Sequence, residues 1–475
     1  MTRKNILFLF PDQHRGDWMP YPAQVLQELG LPQLPLRMEH IRSLMEQGTT
    51  FTRAATNSPL CVPARACLAS GQDYERCGAW NNDFCYPLSK PTFYGVLKQG
   101  GYQVAGVGKF DLHKPVRFWG AHGWIPQLGQ LGFTSALENE GKGDAVWAWQ
   151  HGIPGPYGMF LRSRGLMEAY CADHTRRAGV PTNAEPFDIP QDAYADDWVT
   201  DNALAALKTL TRQSDPWFLM VNFSGPHDPW DVTVPMKRRW EHTVFPLPQD
   251  APDALMGVRQ NYAAMLENID RNIGRLLAAL EASGQLENTV VIYAADHGEM
   301  LGDRGRYFKS VPDLPAVHIP LVISGGGVRR GAVCGELVQL NDLAATIVDF
   351  AGLSMPEGTD ARSLRPLASC REAPPIRTHQ YAALYPRLPA PAENRAGYEA
   401  YEDCCKPAGN PTRKAVGWRS ILTKEYQYIV DLESGRRELY SLREAAPERE
   451  NLAEAYPEIC AELQALIDSR TQLKQ

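Results

Sequence analysis

Four continuous apolar runs, each followed by a residue capable of chemistry, constrain the fold of this 475-residue chain most strongly. The runs cover residues 5–10, 102–107, 217–223 and 289–294, and helical stretches separate them. Strands that are apolar on both faces are typical of parallel sheets covered by helices. The pattern therefore predicts an α/β fold, with a large and mostly parallel sheet sandwiched by helices.

Polar residues follow each of these runs. They are Asp12, Lys109, His227 and the adjacent pair Asp296 and His297. In open α/β sheets, ligands bind outside the carboxyl ends of the strands, which meet at one edge. We therefore expect these four distant segments to converge on a single site.

Composition limits the classes of partner. The formal net charge is −7 and the chain contains no block of Lys and Arg, so nucleic acid is not expected as a partner. The apolar run at 6–10 is too short for a signal peptide, and no run approaches the length of a membrane span. The sequence predicts a cytoplasmic protein with no membrane partner, in which most of the ten cysteines are reduced.

A change of character near residue 365 suggests two domains. Prolines punctuate the stretch that follows, and strand-like runs at 419–423 and 426–430 precede a helix predicted over 457–473. We expect a catalytic α/β domain over 1–365. A C-terminal α+β subdomain over 366–475 is expected to hold a short antiparallel sheet and the terminal helix.

Two further segments bear on the shape of the molecule. Apolar residues at helical spacing predict a long packing helix over 261–280. Residues 124–195 are rich in Gly, Pro and Trp with weak periodicity, which predicts an irregular insertion. This insertion and residues 380–415 are expected to form the pocket that selects the substrate.

The stretch Cys61-Val62-Pro63-Ala64-Arg65 has the pattern Cys-x-Pro-x-Arg. Together with the strand ends, it resembles the formylglycine-dependent sulfatases of the alkaline-phosphatase superfamily, nearly from end to end. The other segments that carry the resemblance are Asp12-Gln13, Gly101-Tyr102, Gly108-Lys109, Pro226-His227-Asp228-Pro229, Asp296-His297-Gly298-Glu299, Lys309 and residues 437–442.

The resemblance implies that Cys61 is a precursor. A formylglycine-generating enzyme would oxidise it to an aldehyde, whose hydrate attacks the sulfur of a sulfate ester and forms a covalent sulfo-enzyme. The second hydroxyl of the hydrate then allows sulfate to leave and the aldehyde to return. Arg65, one turn into the following helix, would orient the hydrate.

The family also implies one divalent metal ion. Carried over residue by residue, its ligands are Asp12, Gln13, modified Cys61, Asp296 and His297. Gln13 stands where most sulfatases have a second acid, although an amide oxygen can still bind a hard cation. The choice lies between Ca²⁺ and Mn²⁺, and the nitrogen of His297 favours Mn²⁺.

The resemblance also implies that cationic side chains hold the sulfate oxygens. These are Lys109, Lys309 and His227, and either His227 or Lys309 would protonate the leaving alcohol. His113 lies further from Lys109 than the family's Gly-Lys-x-His spacing allows. Either a longer loop brings His113 to the sulfate, or Asp111 has changed its task.

Three functions stay open at this point. The first is a sulfuric ester hydrolase acting on a small-molecule sulfate ester, with arylsulfatase as the narrower class. The second is a phosphonate monoester hydrolase or phosphodiesterase with the same nucleophile, and Lys109 favours the first over it. In the third, Cys61 stays unmodified and the protein only binds anions or partners. The alcohol released is open, and a homo-oligomer is compatible with the sequence.

Overall fold

The computed structural model describes residues 3–120, 122–248, 251–385, 417–442 and 450–471. Its largest element is an eight-stranded sheet in which only one strand, Leu321–Ser324, runs against its neighbours. In spatial order the strands are Ala332–Cys334, Gly48–Phe51, Leu321–Ser324, Thr289–Ala294, Asn5–Asp12, Trp217–Pro226, Gln103–Gly108 and Ser135–Glu138. The predicted mostly parallel α/β sheet is confirmed.

Alternation along the central strand Asn5–Asp12 explains why this sheet is covered on both faces. Phe8 and Phe10 belong to one apolar core, whereas Leu7 and Leu9 belong to the other. Successive side chains of a strand point to opposite faces, so a continuously apolar strand needs packing on both. Both cores are built by helices, which form the two outer layers.

Sixteen α-helices are found in the described part of the chain. They are Ala23–Leu29, Glu39–Glu46, Cys61–Ser70, Tyr74–Cys77, Phe93–Gln99, Pro126–Leu131, Lys142–Gln150, Pro156–Ser163, Met167–Arg177, Ala195–Leu210, Val234–Trp240, Ala254–Ala282, Leu314–Val317, Asp342–Phe350, Arg365–Ser369 and Pro457–Thr471. The long packing helix is confirmed, although it begins seven residues before the predicted 261 because the buried face continues through Leu255 and Val258.

Two smaller sheets complete the fold. A three-stranded sheet pairs Val338–Gln339, Ala54–Ala55 and His318–Ile319. A separate antiparallel sheet contains, in order, Gln380–Leu384, Trp418–Leu422, Tyr426–Asp431 and Arg437–Ser441. The short antiparallel sheet and terminal helix predicted for the C-terminal subdomain are therefore present. The boundary at residue 365 stays a prediction.

The insertion at 124–195 differs from its prediction. Four helices lie between Pro126 and Arg177, so the segment is not irregular. Each helix has only 6 to 11 residues, which is too short for a clear periodic signal, and Gly and Pro mark the ends rather than the absence of helices. Of the second segment expected at the pocket, residues 386–415 lie outside the described residues.

None of the helices in the described ranges combines the length and the apolar character that a membrane crossing requires.

Candidate active site

The carboxyl ends of the central strands bring the predicted residues together. Asp12 ends its strand, and Lys109 directly follows the strand Gln103–Gly108, which is separated from it in the sheet by Trp217–Pro226. The Lys109 ammonium lies 2.5 Å from the Asp12 carboxylate, although the two residues are 97 positions apart. The expected convergence of distant segments is confirmed for this pair, and it extends to Cys61, Asp296 and His297.

Cys61 is the first residue of the helix Cys61–Ser70 and is almost fully buried. Its Sγ lies 3.4 Å from His297 Nε2, 3.6 Å from Lys109 Nζ and 3.9 Å from Asp12 Oδ1. The positive end of the helix dipole adds to this environment. Residue 61 is thus placed where an anion would meet cations on several sides.

A set of metal-binding atoms surrounds the sulfur. One ligand atom each from Asp12, Cys61, Asp296 and His297 lie within 4.8 Å of one another, and all four residues are buried. His297 Nδ1 contacts the Gly298 carbonyl at 3.0 Å, and a carbonyl can only accept. The proton therefore sits on Nδ1, which leaves the lone pair of Nε2 facing the other ligands.

Gln13 is oriented differently from the other predicted ligands. Its amide oxygen accepts from Lys309 Nζ at 2.5 Å, and its nitrogen donates to Glu299 and to Asp228. The residue has a left-handed backbone with φ of 71°. In this arrangement Gln13 links the strand end to Lys309, and its service as a metal ligand stays a prediction.

Arg65 forms hydrogen bonds with residues at the ends of several strands. Its guanidinium donates to Asp296 Oδ2 at 3.0 Å and to the Lys109 carbonyl at 2.5 Å, and it also contacts Asp12 and Asn222. Charge-assisted bonds of this kind fix both geometry and charge. Arg65 is placed to hold two carboxylates of the ligand set, and its predicted contact with the hydrate is not tested by these bonds.

The backbone beside Lys109 depends on a glycine. Gly108 has φ of +106°, and a Cβ there would lie 1.9 Å from the carbonyl oxygen of Asn222. Only glycine accepts both the conformation and the close approach. This glycine therefore lets the chain turn at the strand end so that Lys109 reaches Asp12 and Cys61.

His227 and Lys309 face each other across the opening. Lys309 Nζ lies 2.5 Å from His227 Nε2, and His227 Nδ1 lies 3.2 Å from the Asp228 carboxylate. Both residues line the same cavity as Cys61. The predicted role of this pair in protonating the leaving alcohol stays a prediction.

Charge neighbours shift the pKa values of two central groups. Burial opposes ionisation of Asp12, but Lys109, His227, Lys309 and Arg65 hold the pKa of its carboxyl well below the usual value. Burial and Asp12 oppose ionisation of Cys61, yet Lys109 and Lys309 keep the pKa of the thiol well below its ordinary 9.0. The site as a whole favours negative charge at both positions.

His113 is placed apart from this group. It is 9% exposed, its Nε2 has no hydrogen-bond partner among the described residues, and burial lowers its pKa to about 4. It is not among the described residues that line the cavity with Cys61. Asp111 instead lies 3.2 Å from the Lys109 ammonium. The role of His113 stays a prediction.

Sequence reasoning missed residues that position the site. Lys142 donates to the His227 carbonyl at 2.9 Å and pairs with Asp231 at 2.7 Å, so it supports the His227 loop. It lies in the insertion, where no motif marks it. Glu299 was quoted within a motif but given no task, although it binds the Gln13 amide and burial raises its pKa to about 7.

A cavity of about 1580 Å³ opens from Cys61. Beyond the residues around Cys61, Lys109 and the loop of His227, its walls include the insertion, residues 304–313 and the C-terminal antiparallel sheet. The insertion therefore lines the pocket, as its prediction required. The C-terminal sheet contributes Trp418, Ile429 and Tyr440 among others.

Comparison with protein-family models gives a match to the model described as "Sulfatase" over residues 4–353. This match covers well over half of the chain and includes every residue predicted for the site.

Among similar curated proteins is a choline-sulfatase of Rhizobium meliloti (strain 1021), 27% identical over 442 residues, which span 83% of this chain and 78% of that protein. An arylsulfatase K of Danio rerio is 24% identical over 98% of this chain and 83% of its own length.

A phosphonate monoester hydrolase from Silicibacter pomeroyi has a similar solved structure. It aligns with a TM-score of 0.76 at 21% identity, covering all of this chain and 96% of that one. This likeness confirms the alkaline-phosphatase-like fold.

Proposed function

The chain belongs to the sulfatase family and is a sulfuric ester hydrolase, and from this premise we propose that its nucleophile is a formylglycine made from Cys61. The hydrated aldehyde attacks the sulfur of a sulfate ester, and the bond from sulfur to the alcohol oxygen breaks. The second hydroxyl of the hydrate then loses its proton, sulfate leaves with the bonding electrons, and the aldehyde is restored.

One observation carries the proposal. Cys61 opens a helix inside a Cys-x-Pro-x-Arg sequence and lies within 4 Å of His297, Lys109 and Asp12. A buried cysteine that served only as packing would have apolar neighbours. Cys67, six residues further along the same helix, has such surroundings, and burial raises its pKa well above the ordinary value.

The residues present fit a divalent metal ion. Two carboxylates, an imidazole with its lone pair turned inward and the oxygen that would replace the Cys61 sulfur make a mixed set of donors. When bound, such an ion supplies charge that stabilises an oxygen nucleophile near neutral pH. We propose Asp12, Asp296, His297 and modified Cys61 as its ligands, with Ca²⁺ or Mn²⁺ as the ion and Gln13 as a further candidate.

The cations around the opening complete the chemistry. In this proposal Lys109 and Lys309 face the nonbridging oxygens of the ester, where charge must be stabilised in the transition state. The contact of Lys109 with Cys61 and that of Lys309 with Gln13 support these roles. His227 shares its Nε2 contact with Lys309, so a proton can be held between them at the point where the alcohol leaves. His227 or Lys309 is the proposed general acid.

A kinetic comparison on protein of known aldehyde content tests the proposal. Intact mass first measures the conversion, in which residue 61 loses one sulfur and two hydrogen atoms and gains one oxygen. The specificity constants for aryl sulfates and phenylphosphonate esters are then measured side by side. A higher constant for the sulfate supports the proposal, whereas a higher constant for the phosphonate supports the alternative activity. Full turnover by protein that keeps the thiol would exclude the aldehyde mechanism.

A further inference from the structure

We propose that the cavity wall opposite the strand ends is a second anion-binding site, which receives a negatively charged group on the alcohol part of the substrate. The wall is formed by Arg304, Arg306 and Arg436, all of which line the cavity that contains Cys61. The inference rests on the proposed function, because the second anion would belong to the same sulfate ester.

The guanidinium groups of this wall are more exposed than their carboxylate partners, Asp313 and Glu438, which also line the cavity. Arg304 and Arg306 bind Asp313 at 2.6 and 2.9 Å, and their side chains are 37% and 35% exposed while that of Asp313 is 6% exposed. Arg436 binds Glu438 at 3.0 Å, with exposures of 56% and 16%. The carboxylates thus lie beneath, and an entering ligand meets cations first.

These arginines form one continuous surface. Residues 436, 438 and 440 lie on the same face of the edge strand, because alternate residues of a strand share a face. The Tyr440 hydroxyl donates to Glu438 at 2.9 Å, and the Arg304 guanidinium lies 5.8 Å from the centre of the Tyr440 ring. The loop and the C-terminal sheet are therefore joined at the surface that would receive the anion.

The cavity as a whole differs in charge from the rest of the chain. The whole chain carries a net charge of −7, yet the residues lining the cavity include eight Lys or Arg and six Asp or Glu. One of the six, Asp431, faces the same end, and its Oδ1 accepts from the backbone of Glu433 and Ser434. The positive excess comes from the lining residues outside this wall, because the three arginines of the wall are matched in number by Asp313, Glu438 and Asp431. The preference of the wall for an anion therefore rests on the greater exposure of its guanidinium groups.

The cavity is larger than a simple aryl ring requires. A cavity of about 1580 Å³ accommodates a saccharide. Arginine forks suit carboxylate and sulfate alike, since both offer two oxygens in one plane. The ligand class is therefore a sulfated sugar that carries a second sulfate or a carboxylate.

Binding to the Cys61→Ala protein tests the site without turnover. The full chain, loaded with Mn²⁺, is titrated with N-acetyl-D-glucosamine 6-sulfate and with D-glucosamine 2-N,6-O-disulfate, which differ by one anionic group. We expect the disulfate to bind about tenfold more tightly, as a few exposed ion pairs would give. The difference should shrink at high salt, which screens exposed charges.

A matched set of variants shows where the preference comes from. Adding Arg304→Gln and Arg436→Gln should remove the preference for the disulfate and leave the binding of the monosulfate unchanged. Arg365→Gln is the control, because Arg365 is equally exposed at 39%, pairs with Asp349 and lies outside this cavity. Equal affinities for the two sugars, or a preference that survives the double change, would overturn the inference.

The same experiment separates the two proposals. If wild-type protein with a verified aldehyde hydrolyses neither these sugars nor an aryl sulfate but the arginine-dependent preference persists, the proposed reaction fails and the anion site stands. If both sugars are hydrolysed without such a preference, the reaction stands and the anion site fails.

Discussion

The reaction centre and the outer wall of the cavity hold their charges in opposite ways. At the centre, the side chains of Asp12 and Asp296 are fully buried, and Arg65 and Lys109 bind them from several sides. At the outer wall, the arginines are about one third to one half exposed, and among the described residues each pairs with one carboxylate. Burial fixes the position of a charged side chain and strengthens its interactions with other charges. An exposed side chain is screened by solvent and can change its conformation.

This difference separates chemistry from selection. A fixed, desolvated centre suits a group that every substrate shares, namely the sulfate ester. A solvated wall built from an insertion and a C-terminal sheet suits the part that differs between substrates. Changes at the centre should therefore affect all substrates, and changes at the wall should affect some.

The largest effect is expected at the nucleophile. Cys61→Ala should lower turnover by a factor on the order of 10⁶, as removal of a catalytic nucleophile does. Far-ultraviolet circular dichroism and thermal unfolding should stay unchanged, since the replaced side chain is small. Turnover of an aryl sulfate is the measurement.

Cys67→Ala is the matched control for this change. Cys67 is buried in the same helix but packs in the apolar core, so its variant should keep near-normal turnover. Comparable loss in both variants would show that the helix, rather than the aldehyde, is required.

The second largest effect is expected at the proposed metal ligand Asp296. Asp296→Asn keeps the oxygen that accepts from Gln13 N and His297 N, but it removes the negative charge beside Arg65. We expect the affinity for Mn²⁺ to fall at least about 100-fold, measured by calorimetry after removal of bound metal with a chelator.

The control for Asp296 is Asp270→Asn. Asp270 is also buried and accepts from two backbone groups, His40 N and Ile41 N, but it lies outside the ligand set. Its variant should bind Mn²⁺ normally. Unchanged Mn²⁺ affinity in the Asp296 variant would remove that residue from the proposed ligands.

A smaller loss is expected from Lys109→Ala. Removing one donor to the developing charge costs on the order of 100-fold in turnover, and the loss should be greater for aryl sulfates than for phosphonate or phosphate diesters. A diester carries a second substituent, which a long cation in that space obstructs.

Lys114→Ala sharpens this result. Lys114 lines the same cavity and binds the same Asp111 carboxylate, but it pairs with Asp144 instead of Asp12. It should reduce turnover of aryl sulfates much less than Lys109→Ala does. An equal loss in both variants would assign the effect to the general charge of the cavity.

The sequence predicted the centre far better than the wall, for a physical reason. Asp12, Lys109 and Asp296 follow apolar parallel strands, so topology alone places them at one edge. Arg304 and Arg436 lie on a loop and beside a short edge strand, whose relative placement depends on packing between distant elements. The helices of the insertion were missed because they are short, and Lys142 was missed with them.

The smallest expected effect concerns His113, and it decides whether this residue contacts the sulfate. Burial lowers its pKa from 6.5 to about 4. As pH falls below 6.5 the unfolded chain binds this proton before the folded protein does, so the stability is full above pH 6.5 and is lost toward pH 4. Between pH 7 and 5, wild type should lose about 2 kcal/mol of unfolding free energy relative to His113→Gln. Urea unfolding of both proteins at the two pH values measures this, and a constant difference would contradict it.

If the same variant keeps its specificity constant for aryl sulfates at pH 7, His113 is a buried neighbour of the centre. A 100-fold loss at that pH would make it a contact of the sulfate.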